Sequence, residues 1–219
     1  MNFGNLSGQW WDPDGPMRPL HDLTPIRGDY ALKQMAQMPK TVLDFGCGAG
    51  ILSEWFAENG IKTTGIDIEQ DLINTAIRHA KLSNLEINYI CADNSDKCKK
   101  VDLITCMEVL EHCSNHRELI EMFSNKLNKN GILCISTIND TWVAFLKTIV
   151  AAEYLLNLLP KGTHTREGFI KPAQIIRLAQ EYNLQLVAAT GLEYLPHSRT
   201  GTLVNDLSNN YILVFKKSC

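Results

Sequence analysis

From residue 41 onward the chain alternates short apolar runs with longer amphipathic ones, and this alternation limits the fold more than any other feature. Thr41–Phe45 reads as a buried strand and Ile51–Glu58 as a helix. Thr63–Ile68 reads as a second strand, Asp71–Leu82 as a helix, and Ile87–Cys91 and Val101–Cys106 as strands three and four. His116–Leu127 reads as a helix that ends near Asn130 and Gly131, before a fifth strand at Ile132–Thr137. A helix at Pro172–Glu181 precedes two last strands, Leu184–Ala189 and Tyr211–Phe215. Strands separated by helices pair in parallel, and right-handed crossovers place helices on both faces. The expectation is an α/β fold with a Rossmann-like doubly wound sheet of seven strands, the last antiparallel.

The remaining segments are less regular. Residues 1–30 are rich in Trp, Pro, Asp and Gly and read as an irregular arm with one short helix. Residues 140–170 interrupt the alternation as an apolar, lid-like helical insertion. A chain of 219 residues with 45% hydrophobic content suits one domain, expected to span 1–219. The net charge of -3 is spread without a basic stripe, which argues against nucleic acid as a partner. Seven cysteines at scattered spacings, with no C-x-x-C pair, do not form a disulfide framework. Met1 to Asp14 lacks a basic segment followed by an apolar run, so a reducing, cytoplasmic location is expected.

The chemistry concentrates around Val42 to Gly50, VLDFGCGAG. Gly46, Gly48 and Gly50 lie between a strand and a helix, where bare backbone lets a ligand approach. A tight strand-to-helix turn would also explain them. Three acids sharpen the reading. Asp44 precedes the glycines and suits a cationic amino-acid moiety better than a pyrophosphate. Asp67 ends the second strand, 21 positions after Gly46, where a carboxylate can accept from both ribose hydroxyls. Asp93 closes the third strand and could meet the adenine amine, although a strand-end turn acid reads equally well there. Together they describe a nucleoside with a charged amino-acid tail, S-adenosylmethionine, in preference to a nicotinamide dinucleotide.

The class segments LDFGCGAG, IDIE and VDLITCMEVLEH resemble class I methyltransferases in general. WWDPDGPMRPLHDLTPIRGDY, CMEVLEH and AAEYLLNLLPKGTHTREGFIKPAQ are similar to the UbiG/Coq3 family of ubiquinone-biosynthesis O-methyltransferases, over nearly the whole chain. The loop departs from the family's frequent GCGGG, the arm is short, and NSDKCKK after Asp93 is abbreviated. The resemblance implies S-adenosylmethionine held by Arg27, Gly46, Asp67 and Met107, to which the glycine loop and the strand-end acid add Gly48 and Asp93. It pairs the Arg27 guanidinium with the methionine carboxylate and packs Met107 on the adenine. It also implies magnesium, assigned to Glu108, Glu111 and His112, whose i, i+3, i+4 spacing would share one face of a helical turn. In methyltransferases without a metal the same residues cap the helix or line the site. His112 and His164 are candidates for the general base. His164 reads equally well as a surface-loop histidine.

The implied substrates are polyprenyl phenols and quinols, 2-polyprenyl-6-hydroxyphenol and 3-demethylubiquinol. Other proteins of ubiquinone biosynthesis are implied as partners. Residues 142–159, WVAFLKTIVAAEYLLNLL, are too short and too charged to span a bilayer. Trp142, Phe145, Ile149, Ala152 and Leu156 form one stripe that suits a helix lying on the membrane surface. A core helix or a dimer contact would fit the same stripe. The expected location is therefore cytoplasmic, peripheral to the inner membrane. Trp10 and Trp11 are expected to anchor the arm. A methyltransferase of another small molecule, or a cofactor-binding scaffold without turnover, stays open at this point.

Overall fold

The computed structural model describes residues 8–92, 98–139 and 170–218. The parallel strands are β1 (Thr41–Phe45), β2 (Lys62–Asp67), β3 (Ile87–Cys91), β4 (Val101–Met107) and β5 (Leu127–Ile138). They are followed by β6 (Leu184–Leu195), β7 (Thr200–Val204) and β8 (Asn210–Lys217). All eight belong to one sheet in the order β3-β2-β1-β4-β5-β8-β6-β7. β8 is antiparallel to both β5 and β6, and β7 is antiparallel to β6.

Among the described residues the α-helices are α1 (Arg18–Lys33), α2 (Ile51–Glu58), α3 (Gln70–Leu82), α4 (His116–Lys126) and α5 (Pro172–Glu181). Successive strand residues point to opposite faces, so each central strand feeds two cores. Leu43, Ile104, Leu133 and Leu213 pack on one face with Ile120 and Phe123 of α4 and Ile175 of α5. Val42, Leu103, Ile132 and Ile212 pack on the other with Leu23 and Ala31 of α1 and Phe56 of α2. Burial on both faces is why these strands read as continuous apolar runs.

Two expectations change. The arm is not irregular throughout: from Arg18 it is a helix of 16 residues. Pro25 and Gly28 lie inside it and weaken the sequence signal, while packing against α2 and β7 stabilises it. Among the described residues the sheet has eight strands rather than seven. The added one, β7, is a short hairpin partner of β6 with no buried residue, and tertiary pairing forms it. Bounds also shift, since β5 begins at Leu127, inside the stretch expected to end α4.

Side-chain bonds tie the arm to this hairpin. Arg199 donates to Asp14 at 2.7 Å and to Asp22 at 2.9 Å, and Tyr194 donates to Asp22 at 2.6 Å. At the opposite end of the sheet, Asp102 accepts the backbone N–H groups of Lys40 and Thr41 at 2.9 and 3.1 Å and the Asn128 side chain at 2.7 Å. One carboxylate thereby sets the start of β1 against β4 and β5. Burial alone would raise its pKa, but the bonds from Asn128, Lys40 and Thr41 outweigh it and hold the group below its usual range. Asp102→Ala is expected to cost about 1–3 kcal/mol, read as a lower urea midpoint at neutral pH.

Candidate active site

The strand order reverses between β1 and β4, and the crevice beyond their C-terminal ends is where open α/β sheets receive ligands. Here β1 passes into the glycine loop. The N–H groups of Gly46 and Cys47 both donate to Ile66 O, at 2.8 and 2.9 Å, which fixes the loop against β2. Gly46 and Gly48 have φ of +76° and +54°, in the left-handed region. A Cβ on Gly46 would lie 2.2 Å from Val109, and one on Gly48 would lie 2.6 Å from the Trp10 ring. The loop must therefore be bare for two neighbours to close over it.

Trp10 is buried, and Trp11 donates to Ala49 O at 3.0 Å while stacking on His79 with ring centres 3.4 Å apart. His79 in turn bonds the buried Glu54 at 2.9 Å. The tryptophans thus anchor the arm, as expected, and Trp10 also walls the glycine loop.

Asp67 stands at the end of β2. One carboxylate oxygen accepts the Gly48 N–H at 2.8 Å and the other accepts the Glu69 N–H at 2.9 Å. Beside it Ile68 is 76% exposed, an apolar side chain left open at the edge of the crevice. Asp44 does not reach the crevice in this way. Its carboxylate is buried, accepting Ser53 Oγ at 2.7 Å and Thr105 Oγ1 at 2.8 Å. Burial pushes its pKa up to about 6 against those two bonds, with the Asp67 charge adding to the rise. Asp44 joins β1, β4 and α2 beneath the loop and contributes charge from behind.

Across the switch point, Glu108 follows β4 with φ of +56°, a strained position for a side chain of its size. Three donors hold it: Arg27 Nη2 at 2.7 Å, Ser136 Oγ at 2.7 Å and Asn210 Nδ2 at 3.0 Å all point to Oε1. Arg27 is 5% exposed, and its Nε has no hydrogen-bond partner among the described residues. Glu111 accepts Thr137 Oγ1 at 2.7 Å. Burial, reinforced by the neighbouring Glu108, pushes its pKa up to about 8. Met107 ends β4 and packs beside Leu103 and Ile132.

The shared helical face expected of Glu108, Glu111 and His112 does not form. Only Leu110–His112 makes a 3-10 turn, and Glu108 lies before it in the left-handed region. The two carboxylates meet, but among the described residues no group of three His, Cys, Asp or Glu side chains is placed to hold a metal ion. Asp93, His164 and residues 142–159 lie outside the described residues.

Ser136, Asn210, Ser53 and Thr105 were not singled out by the sequence. The hydroxyl pair Ser136–Thr137 at the end of an otherwise apolar strand was the available signal.

A family model described as a methyltransferase domain matches residues 25–189. A ubiquinone biosynthesis O-methyltransferase of Coxiella burnetii (strain RSA 331 / Henzerling II) is 41% identical over 97% of this chain and 92% of its own length. The protein of the same name from Actinobacillus pleuropneumoniae serotype 7 (strain AP76) is 41% identical over 98% and 95%. This chain belongs to that family. It is a methyltransferase, and S-adenosylmethionine is its cofactor.

Solved structures agree on the fold. Magnesium protoporphyrin IX methyltransferase from Synechocystis PCC 6803, with bound SAH, superposes with a TM-score of 0.67 at 18% identity, over 91% of this chain and 84% of that one. A Pyrococcus horikoshii OT3 protein gives 0.66 at 17%, over 94% of each.

The buried Asp44 makes a pH-dependent prediction. Below pH 4 its carboxyl is neutral in the folded and unfolded chain alike. Between pH 4 and 6 the unfolded chain ionises first, so stability falls, and above pH 6 the loss is complete at on the order of 3 kcal/mol. Asp44→Asn removes this loss. Its stability relative to wild type, from urea unfolding, should rise between pH 4 and 7 and then level off. A difference that is flat with pH would contradict the raised pKa.

Proposed function

We propose that the chain transfers the methyl group of S-adenosylmethionine to phenolic hydroxyls of polyprenyl intermediates, 2-polyprenyl-6-hydroxyphenol and 3-demethylubiquinol. The observation that carries the substrate reading is the end-to-end identity of 41% with ubiquinone biosynthesis O-methyltransferases. The chemistry of the crevice suits the cofactor. The bare glycine loop would admit the methionine portion, Asp67 would accept from the ribose hydroxyls, and the unpartnered Arg27 Nε would meet the methionine carboxylate. Met107 and the exposed Ile68 would flank the adenine, and Asp93 would accept from its amine.

The reaction breaks the bond from sulfonium sulfur to methyl carbon and forms one from phenolic oxygen to that carbon. The phenolic proton leaves and the sulfonium becomes a neutral thioether. Positive and negative charge are both lost in the step, so exclusion of water favours it. The protein contributes alignment by holding donor and acceptor in line. Glu108 and Glu111 would hold magnesium together with substrate oxygens, a donor set that this ion accepts. Bound there, the ion supplies Lewis acidity that lowers the phenol pKa. His112 and His164 are the proposed proton acceptors.

Among the described residues no helix is long and apolar enough to cross a membrane. The stripe within residues 142–159 supports contact with the inner-membrane surface from the cytoplasm, where a polyprenyl substrate resides. The whole of 1–219 is read as one domain, with residues 140–170 as its substrate-facing lid. Other ubiquinone-biosynthesis proteins are proposed as partners there.

In a mass-spectrometric assay with S-adenosylmethionine, both a polyprenyl catechol and a demethyl-ubiquinol should gain one methyl group. Chelation should suppress this and added magnesium should restore it. Product that persists in chelator would leave Glu108 and Glu111 as supports for Arg27 and Thr137. Phe145→Glu and Ile149→Glu should reduce flotation with anionic liposomes, and flotation equal to wild type would remove the membrane reading.

A further inference from the structure

Glu108 Oε1 gathers two side chains that each keep one polar atom in reserve. Arg27 spends Nη2 on that oxygen at 2.7 Å and leaves Nε buried and, among the described residues, unpartnered. Asn210 spends Nδ2 on the same oxygen at 3.0 Å and leaves Oδ1 buried and likewise unpartnered among the described residues. The orientation of the Asn210 carboxamide is not arbitrary. Glu108 Oε1 already accepts from the Arg27 guanidinium and the Ser136 hydroxyl, so the amide presents its NH2 to that oxygen and turns its own oxygen away. Buried polar atoms are rarely left unmatched, and an unmatched pair at a ligand crevice points to a ligand that supplies the partners.

The pair is complementary. Arg27 offers a cationic donor and Asn210 a neutral acceptor, and bonding to one shared oxygen keeps them within the span of one small group. A ligand that satisfies both must carry an acceptor, preferably anionic, close to a donor. An α-amino acid zwitterion does so, with carboxylate and ammonium on one carbon. The placement agrees. Asn210 begins β8 and pairs with Ile138 at the end of β5, while Ser136 pairs with Met107 at the end of β4. Ser136, Ile138 and Asn210 therefore share one face of the sheet at its C-terminal edge.

We infer that Asn210 is a positioning residue for the cofactor, its Oδ1 accepting from the α-ammonium group of S-adenosylmethionine while Arg27 Nε donates to the α-carboxylate. Glu108 holds both side chains and places its negative charge beside the ammonium. The inference rests on the cofactor reading above and is independent of the phenolic substrate. Its chemical content is that the amino-acid end, and not the nucleoside end, is recognised from β8. Fixing that end sets the direction of the sulfonium methyl.

The test compares two ligands by calorimetry on the full chain. S-adenosylhomocysteine carries the zwitterion, and 5′-methylthioadenosine has the same nucleoside and a thioether without it. Asn210→Ala should weaken S-adenosylhomocysteine about tenfold or more, the size expected for losing a hydrogen bond to a charged group. It should leave 5′-methylthioadenosine affinity unchanged, which also shows that the variant is folded.

Equal weakening of both ligands would overturn the proposal in favour of general disruption. Unchanged S-adenosylhomocysteine affinity with a raised KM for a catechol would overturn it too, and would assign Oδ1 to a substrate hydroxyl. If wild type bound neither ligand, the cofactor reading itself would fail, an outcome distinct from failure of Asn210 alone.

Discussion

The bond set on Glu108 Oε1 organises the crevice. Through one atom it joins α1 by Arg27, β5 by Ser136 and β8 by Asn210, elements far apart in the chain. Three donors compensate the left-handed backbone at Glu108, which would otherwise relax. A buried arginine near neutral surroundings would carry a large desolvation cost, and the carboxylate offsets it. Without this hub the arm would lack a polar anchor at the switch point, and β8 would lack one at its first residue.

A second carboxylate works on the other side of the crevice in a different way. Asp44 accepts from two hydroxyls and has no ion-pair partner among the described residues, and burial raises its pKa. The two acids flank the glycine loop from below and from across β4. Arg27 neutralises Glu108, so the net negative charge beneath the loop is that of Asp44, which favours a ligand carrying sulfonium and ammonium charge over one carrying a pyrophosphate. Discrimination between those cofactors thus resides in the acids around the loop more than in the glycines, which serve both.

The N-terminal arm is part of the site and not an appendage. Trp10 closes over Gly48, Trp11 is clamped by Ala49 O and His79, and Arg199 with Tyr194 holds Asp22 from the far hairpin. Arm, glycine loop and β6–β7 hairpin form one contiguous wall. A wall of this kind limits water at the reacting atoms.

The sequence by itself determined the order of β1 to β5, the glycine loop and Asp67, because each depends on local signals: apolar runs, backbone freedom, an acid at a strand end. Those signals are short-range and survive without knowledge of neighbours. It did not determine α1, whose internal Pro25 and Gly28 conceal it, or β7, which exists only by pairing with β6. Nor did it determine what Glu108 and Asp44 do. Helical spacing placed Glu108 on a face with Glu111 and His112, but the backbone turns left-handed at that residue, and its partners come from α1, β5 and β8. Asn210 was invisible for the same reason. A lone asparagine before a strand acquires meaning only when the antiparallel return of β8 sets it beside Glu108, since register and long-range contact are properties of the sheet and not of the segment.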